Sequence, residues 1–118
     1  CAAALCPHTR NLTDAQIREI AESGGVVGLN LYPPFLRRRG DADFSDIFRH
    51  LRHLYLAGGK ELPALGTDFD GVDSLPRGVC GMEDMPRLYT EMKKQGFSED
   101  EADRFFSGNA KRIIKAIL

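Results

Sequence analysis

Leu65-Gly66-Thr67-Asp68-Phe69-Asp70-Gly71 follows the apolar run Glu61-Leu62-Pro63-Ala64-Leu65-Gly66. The pair reads as a strand that delivers two acids to its carboxyl end and closes in a glycine turn, which is where α/β proteins keep their chemistry. Side chains alternate along an extended backbone, so if the strand persists Asp68 and Asp70 face opposite sides and only one of them meets a given pocket. The same residues also read as a turn in which Asp accepts local hydrogen bonds. Position alone does not choose between the two.

Outward from this stretch, the nearest comparable run is Val26-Val27-Gly28-Leu29-Asn30-Leu31, set between a glycine pair and Pro33-Pro34. Its near-continuous apolar character suits a parallel strand covered on both faces. Tyr32-Pro33-Pro34-Phe35 then leaves the strand as a stiff aromatic loop, and Arg37-Arg38-Arg39 reads as a solvated basic loop with no assigned function. Between the strands, Asp41 or Asp43 caps a helix in which Phe44, Ile47, Phe48, Leu51, Leu54 and Tyr55 recur at three- and four-residue intervals up to Gly58-Gly59. His50 and His53 lie three apart on it; lacking a third ligand, they read as surface histidines.

Upstream, Cys1 to Leu5 are good helix formers until Pro7 opens a loop that carries Arg10. Thr13 and Gln16 form a capping-box pattern before a helix ending at Ser23-Gly24-Gly25. Downstream, a loop rich in Gly, Pro and Asp runs from Val72 to about Asp84, long enough to cover a site. A helix begins near Pro86 and closes at Gln95-Gly96, and Ser98 with Glu101 repeats the capping box. Ser107-Gly108-Asn109 breaks that short helix before a last one carrying Ile113, Ile114 and Ile117, with Asn109 as its cap.

The order helix, strand, helix, strand, helices gives parallel βαβ units and an α/β fold. Two strands alone leave both sheet edges open, so the sequence predicts neighbours it does not contain and reads as one fragment, residues 1–118, of a larger fold. With 118 residues, 42% hydrophobic, 28% charged and a formal net charge of -1, it has ordinary globular composition and no electrostatic case for nucleic acid. No apolar run approaches the roughly 20 residues needed to cross a bilayer. Cys1, Cys6 and Cys80 fit free thiols in a reducing, cytoplasmic setting.

Three segments carry a resemblance: Cys6-Pro7-His8-Thr9-Arg10-Asn11-Leu12-Thr13-Asp14, Gly25 to Leu36, and Gly66-Thr67-Asp68-Phe69-Asp70-Gly71. Together with Gly96 to Glu101 and Gly108-Asn109, they resemble the membrane (renal) dipeptidase family of zinc metallopeptidases over nearly the whole chain. The resemblance implies a TIM-like (β/α)8 barrel of which this is the carboxyl-terminal portion, the last two strands with their helices. It also implies two zinc ions that activate water against the peptide bond of a dipeptide, held by histidines, an aspartate and a glutamate that all lie upstream of Cys1. No metal ligand is expected in this chain, which is expected to be inactive without the missing portion. Arg10 matches the arginine that binds the dipeptide's carboxylate, a task that suits a guanidinium fork. Asp68 matches the aspartate near the scissile bond and the substrate's amino group, where it handles a proton. Asp70 and Gly71 read as turn-makers, and Tyr32 and Phe35 are left outside the site.

The partners so implied are a dipeptide and the remainder of the barrel, with assembly into a homo-oligomer left open. Without the resemblance, Arg10 reads as a loop arginine paired with Asp14. The rival for the whole chain is a non-catalytic, standalone α/β module that self-associates or binds a partner.

Overall fold

Two strands, β1 (Val27–Asn30) and β2 (Pro63–Gly66), pair in parallel. Their register sets Val27 against Pro63, Gly28 against Ala64, Leu29 against Leu65 and Asn30 against Gly66. The computed structural model describes residues 1–38, 40–69 and 71–118; Arg39 and Asp70, with the basic-loop and turn readings made of them, lie outside the described residues. Around the strands run helices α1 (Asp14–Glu22), α2 (Pro33–Leu36), α3 (Phe44–Gly58), α4 (Met85–Lys94), α5 (Glu99–Asp103) and α6 (Asn109–Ile117). Parallel strands need a crossover, and α3 supplies it, so its N-terminus lies at the same end as the carboxyl ends of both strands.

Local chemistry fixes most boundaries where the sequence puts them. Thr13 and Gln16 cap α1 reciprocally, as Ser98 and Glu101 cap α5 and Asp43 and Asp46 cap α3. The Ser45 hydroxyl and the backbone N–H groups of Ser45 and Asp46 all donate to Asp43. That first contact is the main reason its carboxyl titrates below the usual carboxylate range. Gly59, at φ 85, ends α3 in a conformation that a side chain disfavours.

One core joins the sheet to the helices. Val27, Leu29 and Leu31 are buried together with Ile17, Ile47, Leu51 and Leu54, while the alternate positions Gly28 and Asn30 are exposed and half-buried. The expectation of a strand covered on both faces is thus met on one face, because the helices stack only on the Val27 and Leu29 side. No helix among the described residues is long and apolar enough to cross a membrane. Cys1 and Cys6 are buried free thiols and Cys80 an exposed one.

Five readings are corrected. Cys1 to Leu5 forms no helix: Ala3 N–H donates to Leu12 O at 2.7 Å and Ala2 N–H to His50 Nδ1 at 3.2 Å, which commits that backbone to other partners. His50 is therefore not a surface histidine but fully buried, and its Nε2 bonds Leu36 O at 2.8 Å. Pro33 to Leu36 is a helical turn and not a loop, since proline presets φ for the first helical position. Arg104–Gly108 is a π-helical turn that carries the chain from α5 into α6 without a break. Asn109 caps nothing; its amide donates to Lys60 O at 2.9 Å and Pro63 O at 2.8 Å, fastening α6 to the start of β2.

Candidate active site

Strand β2 ends at Gly66, two residues before Asp68, so the alternation expected of Asp68 and Asp70 does not apply. Asp68 adopts φ 56, the one left-handed non-glycine backbone among the described residues. For an L-residue that region costs about 1–2 kcal/mol, and Asp is among the few that tolerate it. The turn is closed by Gly71 N–H donating to Asp68 O at 3.0 Å. Asp68 Oδ2 accepts from Asn30 Nδ2 at 3.2 Å, and Asn30 Oδ1 accepts from the Tyr32 N–H at 2.8 Å. Asp68 Oδ1 lies so close over Gly71 that a Cβ there would sit 2.2 Å from it.

Arg10 reaches the same region from the loop before α1. Asn11 holds that loop against α2, donating to Cys6 O at 2.9 Å and Phe35 O at 2.8 Å, and the Cys6 thiol adds a contact to Pro34 O at 3.3 Å. The Arg10 guanidinium lies 5.3 Å from the Phe35 ring centre, in cation–π range, and the Arg10 backbone N–H donates to His8 Nδ1 at 3.1 Å. Tyr32 and His8 both pack edge-on against Phe35, at 5.0 and 4.7 Å. Asp14, the rival partner for Arg10, instead binds His53 Nε2 at 2.6 Å and ties α1 to α3.

Arg10 and Asp68 line one cleft of about 310 Å³, with Tyr32, Phe35, Val72 and Asp73 completing its walls over Gly71. The cleft carries one guanidinium and two carboxylates beside two aromatic rings. A larger cleft, about 850 Å³, shares no residue with it and is lined by Arg37, Arg38 and Arg49 around Asp46. There Asp46 answers Arg49 at 3.3 Å and Arg37 at 3.9 Å, so the basic loop is drawn to a structural carboxylate.

The sequence model of the membrane dipeptidase family, peptidase family M19, matches residues 1–118. This chain belongs to the membrane dipeptidase family. It is 39% identical over 118 residues to an uncharacterized protein in the pqqA 5' region of Klebsiella pneumoniae, covering 97% of this chain and 43% of that one. It is 33% identical over 114 residues to dipeptidase aclJ of Aspergillus oryzae, covering 94% and 27%. Among solved structures it resembles a Rhodobacter sphaeroides metallopeptidase liganded with a phosphinate mimic of the dipeptide L-Ala-D-Ala, with TM-score 0.90 and 35% identity over 97% of this chain and 33% of that one. A dipeptidase of metallopeptidase family M19 gives TM-score 0.89 at 35% identity, covering 97% and 35%. The chain thus spans less than half the length of each.

Membrane dipeptidases are metal-dependent, generally zinc, peptidases. Among the described residues no three His, Cys, Asp or Glu side chains converge to hold a metal ion. The cleft's own donors, Asp68 and Asp73, do not amount to a ligand set for a zinc pair, and the nearby His8 has its Nδ1 engaged by the Arg10 backbone. No step through a metal is therefore derived from this chain. Tyr32 and Phe35, set aside on sequence, stand in the cleft wall, and Asp73 joins them from the Val72-to-Asp84 loop. Asn30, which touches Asp68 directly, was hidden in an apolar strand; its signal is a lone amide one residue before the end of that run.

Proposed function

We propose that this chain is the carboxyl-terminal portion of a TIM-like (β/α)8 barrel and forms the substrate end of a zinc dipeptidase. The exposed face of β1, with Gly28 and Asn30, would then be barrel interior, and Ala64 and Gly66 of β2 share that face by register. The remainder of the barrel would carry the zinc pair, whose chemistry is to activate water against the peptide bond.

One observation carries the reading: a guanidinium and a carboxylate meet in a single small cleft. A dipeptide is a zwitterion short enough for both its ends to be held at once. Arg10 grips the terminal carboxylate with two parallel N–H donors, and the Phe35 face beneath keeps the guanidinium plane in place. Asp68 attracts the amino end and passes a proton to the departing amine. The volume, about 310 Å³, falls at the low end for ligand sites and suits two residues better than a longer peptide.

The test uses the full-length, zinc-loaded protein. Arg10→Ala is expected to raise KM for dipeptides about tenfold or more while leaving carboxyl-amidated dipeptides, already poor substrates, unchanged. Asp68→Asn is expected to lower turnover by about 100-fold or more with bound zinc unaltered. Full activity in Asp68→Asn would remove the proton-handling role, and equal losses on both substrate types in Arg10→Ala would remove the carboxylate grip.

A further inference from the structure

We propose that Asn30 is a positioning residue for Asp68, its amide anchoring Oδ2 so that Oδ1 alone serves the substrate; this rests on the proton-handling reading of Asp68 given above.

The orientation of the Asn30 amide is set from behind. Tyr32 N–H can only donate, so the atom it meets at 2.8 Å is Oδ1, and the NH₂ end is turned toward Asp68. The opposite assignment would set an oxygen against a carboxylate and a donor against a donor. Asn30 faces Gly66 across the sheet, and the absence of a side chain there leaves the amide a path to the residue two further on. The strands are close at this point: a Cβ at Gly66 would lie 3.3 Å from Gly28 Cα, inside ordinary contact distance.

The two carboxylate oxygens are left unequal. Oδ2 is held by a neutral donor, which fixes that oxygen without adding a competing charge. Oδ1 has no hydrogen-bond donor among the described residues and lies over Gly71, a cleft residue. A proton taken up by Asp68 goes to the unanchored Oδ1, the oxygen free to turn toward substrate. Gly71 belongs to the same device, since any Cβ there drives Oδ1 from its place. The left-handed backbone at Asp68 is what brings the carboxylate back toward β1 instead of continuing along β2.

The experiment measures kcat and KM separately on the full-length, zinc-loaded protein. Asn30→Ala is expected to lower kcat about tenfold or more and to change KM for the dipeptide by less than about threefold, because Arg10 still holds the carboxylate. Asn30→Asp is expected to lower kcat further, because two facing carboxylates repel and Oδ2 loses its anchor. Gly71→Ala displaces the same oxygen from the other side and gives the same kcat-specific loss, independently of how well the Asn30 variants fold. In an Asp68→Asn background, Asn30→Ala is expected to cost nothing more. If Asp68→Asn abolishes turnover while Asn30→Ala and Gly71→Ala keep the parent kcat, the positioning role is overturned and the reading of Asp68 survives. If Asp68→Asn keeps full turnover, both fall together.

Discussion

The two ends of β2 are built to opposite specifications. At its start, Asn109 donates to the carbonyls of Lys60 and Pro63, and Arg112 donates to Gly24 O at 2.8 Å and Glu61 O at 3.0 Å. Four carbonyls, three from two loops and one from β2 itself, are thereby locked to α6. At its finish, the chain leaves the ladder at Gly66 and turns through a left-handed aspartate whose carboxylate has one protein donor among the described residues. One end is saturated with bonds and the other is sparing with them. In barrels of parallel strands, conserved features at the first end speak for stability and those at the second for chemistry.

That contrast can be broken experimentally, beginning where the effect is greatest. Asp68→Asn should raise the activation barrier of the whole enzyme by about 3–5 kcal/mol, read as kcat, and leave the unfolding midpoint in denaturant unmoved. Asn109→Ala should do the reverse. It strands two carbonyls, one of them in a fully buried contact, and should lower unfolding free energy by about 2–4 kcal/mol while kcat of the folded fraction holds. A variant at either position that changed both quantities alike would erase the distinction between the ends.

A third measurement concerns His50, which joins the Ala2 segment to α2 from within the core. Burial depresses its pKa from the ordinary 6.5 to about 4. Its Nδ1 already accepts the Ala2 N–H, so a second proton has nowhere favourable to go. The unfolded chain takes up a proton below pH 6.5 that the folded chain refuses. This contribution is fully present above pH 6.5 and is lost as pH falls toward 4, amounting to roughly 3 kcal/mol. Denaturant unfolding of His50→Gln should show that slope flattened between those values. The smallest expected effect is Arg112→Met, about 1–2 kcal/mol of stability from two hydrogen bonds at an exposed rim, with catalysis untouched.

Elements whose causes are local were legible in the sequence. The capping boxes at Thr13 and Ser98, the Asp43 cap and the Gly59 stop each depend on residues within a turn of one another, so reading order and spacing sufficed. The Arg10 and Asp68 motifs were found through family resemblance, and the sequence alone could not say that they share a cleft. The misreadings at His50 and Asn109 have causes 14 to 49 residues away along the chain. Cys1 to Leu5 has helix-forming side chains, yet its backbone donors are taken by Leu12 and His50. His50 continues the apolar stripe of Ile47, Leu51 and Leu54, a signal that was present but outweighed by its pairing with His53. Nothing near Arg104 announces the π turn, whose geometry goes with the reach of Asn109 to Lys60 and Pro63.

Asn11 holds the carbonyls of Cys6 and Phe35 with one amide group. The loop presenting Arg10 and the helical turn that packs beneath it in the cleft wall are in consequence one lever and not two. Redesign of substrate preference has to recast residues 6–11 and 32–36 as a unit, because a change in either will be felt at the other.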